Sequence, residues 1–188
     1  MPRQSRIDAP GGLHHIIARR IEGRKIFEDD QDRHDFVKNL GLILEQTETA
    51  CYAWSLLPSH FHLLLRTGPV PVSTVMRRLL TGHAVRYNRR HQRQGHLFQN
   101  RYKSILCQEE TYLLKLVRHI HLNPLRARLV SDLDQLEQYP FSGHGAIMGK
   151  QEQSWQSSEE LLRHLGKKTS SARHVPSPGY PRSVLQKI

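Results

Sequence analysis

His60 and His62 flank a single apolar residue in the run Ser59-His60-Phe61-His62-Leu63-Leu64-Leu65-Arg66. On a strand, alternate side chains share a face, so the two imidazoles point one way while Phe61, Leu63 and Leu65 turn to a core on the other. Neutral imidazole is the commonest protein ligand for divalent metals, and two on one stiff strand lose little entropy when an ion binds. Read alone, the pair also fits two satisfied polar residues on a half-buried strand. The chain offers a second candidate group. At about 100° per residue, a helix from about Glu109 to Leu122 places Tyr112, His119 and Asn123 along one border of a face that buries Leu113, Leu116, Val117 and Ile120. His119 and Asn123 sit one turn apart and could bring an imidazole and an amide oxygen to the same ion, or serve as a boundary residue and a cap before Pro124.

The elements that must position these groups are legible as patterns. Leu13 to Arg19 reads as a first strand entered through Pro10-Gly11-Gly12. A helix follows, with Asp29, Asp30 and Asp32 at its start and Phe36, Val37, Leu40, Ile43 and Leu44 as its buried stripe. Tyr52 to Leu57 and the histidine strand form a hairpin through Pro58-Ser59. Val72 to Tyr87 gives a second amphipathic helix, and Tyr102 to Cys107 a fourth strand. Strand, helix, strand, strand, helix, strand, helix is the order of an α+β, ferredoxin-like antiparallel sheet with helices packed on one face. Residues 1–149 are expected to form one domain. Residues 150–188 are expected to hold a short helix carrying Leu161, Leu162 and Leu165, stopped by Gly166, and a disordered basic tail from Lys167.

Composition narrows the partner. The 188 residues carry a formal net charge of +11, which favours a polyanion, and inside a cell nucleic acid is the default. The basic residues cluster in the middle third, at Arg77, Arg78, Arg86, Arg89, Arg90, Arg101, Lys103 and Arg126. Phe98 and Tyr102 lie among them and could stack on single-strand bases or pack at the start of the fourth strand. Only Cys51 and Cys107 are present, which excludes a disulfide framework and a Cys-type zinc module. No apolar run reaches the roughly 20 residues of a membrane helix, so no membrane partner is expected, and the expected location is the cytoplasm, at the nucleoid. No glycine-rich phosphate loop or Ser-His-Asp order is present. Rival classes are an RNA-binding protein and a small metal hydrolase, the latter leaving the arginine clustering unexplained.

Four segments in order resemble the HUH single-tyrosine transposases, in particular the REP-associated (IS200-like) branch. They are Pro10-Gly11-Gly12-Leu13-His14-His15, Leu57-Pro58-Ser59-His60-Phe61-His62-Leu63-Leu64, Gly95-His96-Leu97-Phe98-Gln99-Asn100-Arg101-Tyr102-Lys103, and His119-Ile120-His121-Leu122-Asn123-Pro124-Leu125-Arg126-Ala127. The resemblance implies a transposase-like protein that cleaves and transfers single-stranded DNA at hairpin, REP-like sequences, usually as a homodimer. It implies Mg or Mn held by His60 and His62, with Asn123 as third ligand, and a helix tyrosine that forms a 5′-phosphotyrosine link. Here the chain departs from the pattern: His119 stands at the nucleophile position. An imidazole would give a labile phosphoramidate where a phenol gives a reversible phosphodiester. Three readings follow. Tyr112 could substitute, although seven residues are about 10 Å along a helix axis. His119 could be a third imidazole ligand, favouring Zn, Mn or Co and attack by water. Or the chain could be a domesticated protein that binds hairpin DNA without cutting it.

Overall fold

The computed structural model of the protein describes residues 10–20, 25–107 and 110–168. In chain order the elements are β1 (Leu13–Arg19), α1 (Asp30–Gln46), β2 (Ala50–Leu57), β3 (His60–Arg66), α2 (Val72–Arg90), β4 (Lys103–Cys107), α3 (Glu110–His121), α4 (Asn123–Arg126), α5 (Leu133–Gln138), α6 (His144–Ile147) and α7 (Ser158–Lys168). The strands pair in the order β2-β3-β1-β4, and every pairing is antiparallel. This is the expected ferredoxin-like α+β arrangement.

Local chemistry explains the element ends. Gly11 takes a positive φ of 74° in the turn that feeds β1, a conformation glycine adopts without steric cost. The Asp29 carboxylate caps α1 by accepting from the Asp32 amide at 3.0 Å. Pro124 has no N–H to continue α3, and the chain breaks at Leu122 into the single turn of α4.

Strand alternation then divides the interior. Ile16, Ala18, Trp54, Leu56, Phe61, Leu63 and Leu65 face α1 and α2, whose Phe36, Leu40, Val75, Met76 and Leu79 complete the larger core. Those two helices form the layer the sequence pattern implies. α3 covers the opposite face, where Leu113, Leu114, Val117 and Ile120 pack with Leu13, Tyr52, Ala53 and Leu64, so helices cover both faces of the sheet and not one as expected. Both faces of the hairpin are therefore buried, because each strand alternates two sets of apolar side chains rather than one. Leu114 is buried while Leu116 is only partly so, a small rotation of the expected stripe.

The segment after Gly149 is partly built into this body. Trp155 stacks on Trp54 with ring centroids 5.4 Å apart, the Trp54 indole donates to Gln156 Oε1 at 2.9 Å, and Leu161 of α7 is buried against the α3 side. The helix runs through Gly166 to Lys168 instead of stopping there. The expected disorder past Lys168 lies outside the described residues.

Phe61 is fully buried between the two histidines of β3. Replacing it with alanine should lower the unfolding free energy by about 3–5 kcal/mol, seen as an earlier urea midpoint. A loss under about 1 kcal/mol would contradict its place in the core.

Candidate functional site

The register of β1 on β3 sets Arg19 across from His60, Ile17 across from His62, and His15 across from Leu64. His15 and His62 are thus diagonal neighbours on the α3 face. Their rings stack with centroids 5.3 Å apart, and His15 Nε2 lies 3.0 Å from His62 Nδ1. Both are buried, at 6% and 7% exposure. His60, half-buried, sets its ring almost perpendicular to that of His62 with centroids 5.2 Å apart, and its Nδ1 is 3.1 Å from Ser59 Oγ. α3 crosses above and lays the His119 ring 6.2 Å from His62 and 6.3 Å from His15. Four imidazoles from β1, β3 and α3 therefore meet on one face.

These rings are held neutral at pH 7. Burial, then the neighbouring His119 and Lys103, lowers His15 to about 4. Burial and the surrounding imidazoles and Arg19 lower His62 to about 3. Burial and Arg19 lower His60, and burial and Arg126 lower His119. The charged side chains acting on the cluster, Arg19, Lys103 and Arg126, are all cationic, so the site complements an anion. Beside His60 and His62 opens a cavity of about 390 Å³ lined also by Ile17, Arg19, Arg20, Ser59 and Gln99. Its outer wall comes from the chain before β4, where the Gln99 amide donates to the Arg19 carbonyl at 3.1 Å and Phe98 bridges to Arg20.

The residues present fit a divalent ion. Two imidazoles bound to one ion at about 2.1 Å have centroids roughly 5 Å apart, the separation of His60 and His62. Asn123, one turn after His119, has a buried amide nitrogen without a hydrogen-bond partner. An amide can turn to present its oxygen. His119 does not complete a three-histidine set. Its Nδ1 accepts from the Arg126 guanidinium at 2.7 Å, and no group of three or more His, Cys, Asp or Glu among the described residues is arranged to hold an ion.

The remaining candidates fall into separate places. Tyr112 is exposed on α3 with Lys115 Nζ 5.6 Å from its ring centroid, two turns before His119. Tyr102 is 7% exposed within the larger core, which corrects its expected stacking on bases and leaves the packing role at the start of the fourth strand. Phe98 packs against that core, its ring in contact with Phe61 and His83. Lys103 and Arg101 are exposed, and Lys103 stands across the sheet from Ile17, on the histidine face.

Arg77, Arg78, Arg86, Arg89 and Arg90 belong to α2, on the other side of the sheet. Of these, Arg78 donates to Gln46, Arg86 to the Asp35 carbonyl at 3.3 Å, and Arg90 pairs with Asp29 and Asp32 at 2.6 and 2.5 Å. The basic middle third is thus split between two layers. Sequence reasoning did not single out His15, Arg19 and Gln99 as site residues. For His15 and Arg19 a signal existed, since both share the parity of Leu13 on the first strand; nothing marked Gln99 before the sheet order was known.

A structure described as the REP-associated tyrosine transposase bound to a REP hairpin superposes with a TM-score of 0.64 at 15% identity, covering 84% of this chain and 98% of that one. A putative transposase from Deinococcus radiodurans matches at 20% identity and a TM-score of 0.45, covering 61% of this chain and 93% of that one. No curated protein matches the chain. The model of the IS200-like transposases matches residues 12–123, and the chain belongs to that family. No helix among the described residues is long and apolar enough to cross a membrane.

Burial makes the cluster a source of acid sensitivity. His15, His62 and the fully buried His121 stay neutral when folded, whereas the unfolded chain binds their protons near pH 6.5. The unfolded state then holds more protons, so stability is fully present above about pH 6.5 and falls as the pH drops toward 4. Each such histidine contributes a slope of up to about 1.4 kcal/mol per pH unit. Urea midpoints should decline between pH 7 and pH 5, and a flat profile would contradict the neutral cluster.

Proposed function

We propose that this protein binds single-stranded or hairpin DNA with a phosphodiester seated beside His60 and His62, and that no side chain attacks that phosphodiester. One observation carries the reading: position 119 holds an imidazole whose Nδ1 accepts from Arg126. A guanidinium only donates, so in neutral His119 the proton lies on Nε2. That nitrogen is a hydrogen-bond donor, suited to a phosphate oxygen and unsuited to nucleophilic attack. Tyr112, exposed two turns away, brings no phenol to the cluster. Among the described residues, neither position 119 nor Tyr112 brings a phenol beside His60 and His62 for covalent strand transfer of the tyrosine type.

Binding rests on the cationic face. Arg19, Lys103 and Arg126 neutralise backbone phosphates, and His119 Nε2–H adds a directed contact. His60, His62 and Asn123 would hold Mg or Mn, which when bound polarises the phosphodiester. The neutral His60 and His62 support a second reading, hydrolysis by water without a covalent intermediate. The hairpin preference is drawn from the superposed transposase, whose structure contains a REP hairpin.

A denaturing gel with 5′- and 3′-labelled hairpin DNA in Mg, Mn and Zn tests this against His119→Tyr. The native protein should yield no protein-DNA adduct, and the tyrosine variant should gain one. An adduct from the native chain would overturn the reading; cleavage without an adduct would select hydrolysis.

Binding should also weaken with salt, with a logarithmic slope near −0.7 per neutralised phosphate on single strands. Arg19→Ala and Lys103→Ala should each remove roughly one such increment in a gel-shift titration. Salt-insensitive affinity would rule out the cationic face as the binding surface.

A further inference from the structure

His15 plays no part in the family resemblance as a ligand, and it does not line the cavity that His60 and His62 share. It is nonetheless buried and aimed at a ring nitrogen of His62. We infer that His15 is a positioning residue: its Nε2 accepts the proton-bearing Nδ1 of His62 and so leaves the His62 Nε2 lone pair facing the cavity, ready for a divalent cation. This assignment rests on the metal-holding role given above to His60 and His62.

A neutral imidazole carries a single N–H, so the His15 to His62 contact at 3.0 Å contains one proton and one lone pair. If His15 donated, His62 would carry its own proton on Nε2 and present a donor to the cavity. If His62 donates, the cavity receives a lone pair, and His15 keeps its proton on Nδ1. Only the second arrangement makes His62 a ligand.

His60 reaches the same state by another route. Its Nδ1 lies 3.1 Å from the Ser59 hydroxyl, and with that hydroxyl accepting, the His60 lone pair sits on Nε2. The third ring, His119, has a partner that can only donate, and it is driven to the opposite tautomer. The cluster thus offers two lone pairs from β3 and one N–H from α3, which is the complement of a cation lying on a phosphate. Ligating histidines commonly donate their second nitrogen to a fixed acceptor, which sets ring orientation and raises basicity. An imidazole in that outer place is unusual, and the diagonal register of β1 on β3 provides it.

Long-range proton–nitrogen NMR of the imidazoles at pH 8, on the full chain without metal, reads the tautomer directly. Mn2+ titration of the same samples reads the ligand consequence. The native protein should show His62 protonated on Nδ1. His15→Phe, which keeps a ring but removes the acceptor, should move that proton to Nε2 and weaken Mn2+ binding by roughly 10- to 100-fold. His15→Gln, whose amide oxygen can accept, should restore most of both signals, which a purely structural role would not predict. A native His62 protonated on Nε2 would overturn the inference, as would a His15→Phe protein with unchanged tautomer and affinity. A native protein with His62 protonated on Nδ1 that binds no Mn2+ would keep the His15 to His62 hydrogen bond as described but overturn the metal-holding role, and with it the positioning role of His15.

Discussion

Everything at the site depends on the antiparallel register between β1 and β3. Side chains on a strand alternate, so sliding β1 by one residue would turn His15, Ile17 and Arg19 toward α1 and α2 and put Ile16 and Ala18 under α3. The register is held because the slip would drive His15 and Arg19 into the larger apolar core, where burying their polar groups is costly. The histidines occupy the end of one face where apolar cover gives way to a cavity. Their burial, their neutrality and their mutual contacts are consequences of that placement.

Much of this could be read from residue order. The alternation through His60, Phe61, His62 and Leu63 gave the face on which chemistry could occur, and the spacing of His119 and Asn123 indicated the helix that lies across it. The element order yielded the sheet. What the order could not yield was pairing across the sheet. His15 was visible only as a residue of the first strand, because its value comes from a neighbour 47 positions away. The arginines of α2 misled for the same reason. They are close in sequence to Lys103 and Arg101, yet a whole sheet separates α2 from the histidine face, and buried Asp32 and half-buried Asp29 take up Arg90. Tyr102 looked like a stacking residue because aromatic type does not reveal which way a residue points where a loop becomes a strand.

Asp32 also shows how the two helical layers are kept distinct. It is 3% exposed and receives Arg90, His91 and the Glu28 amide, joining the start of α1 to the end of α2. Charge there is consumed internally. On the other face, among the described residues, Arg19 and Lys103 act on the imidazoles of His62 and His15 and form no ion pair with a carboxylate. The same residue types thus do different work on the two sides of one sheet, decided by what the opposing element presents.

His119 sits at the exposed rim of α3, and its recorded hydrogen bond is to Arg126 on the following turn. A side chain in such a place is not fixed by the packing of the core, and a phenol would fit the same position without disturbing the layers beneath. Tyrosine and histidine codons differ by one base. Under the proposed function, tyrosine-type chemistry at this rim would be lost or regained by a single transition in the gene, while selection on folding, which acts through the buried faces, would register neither event.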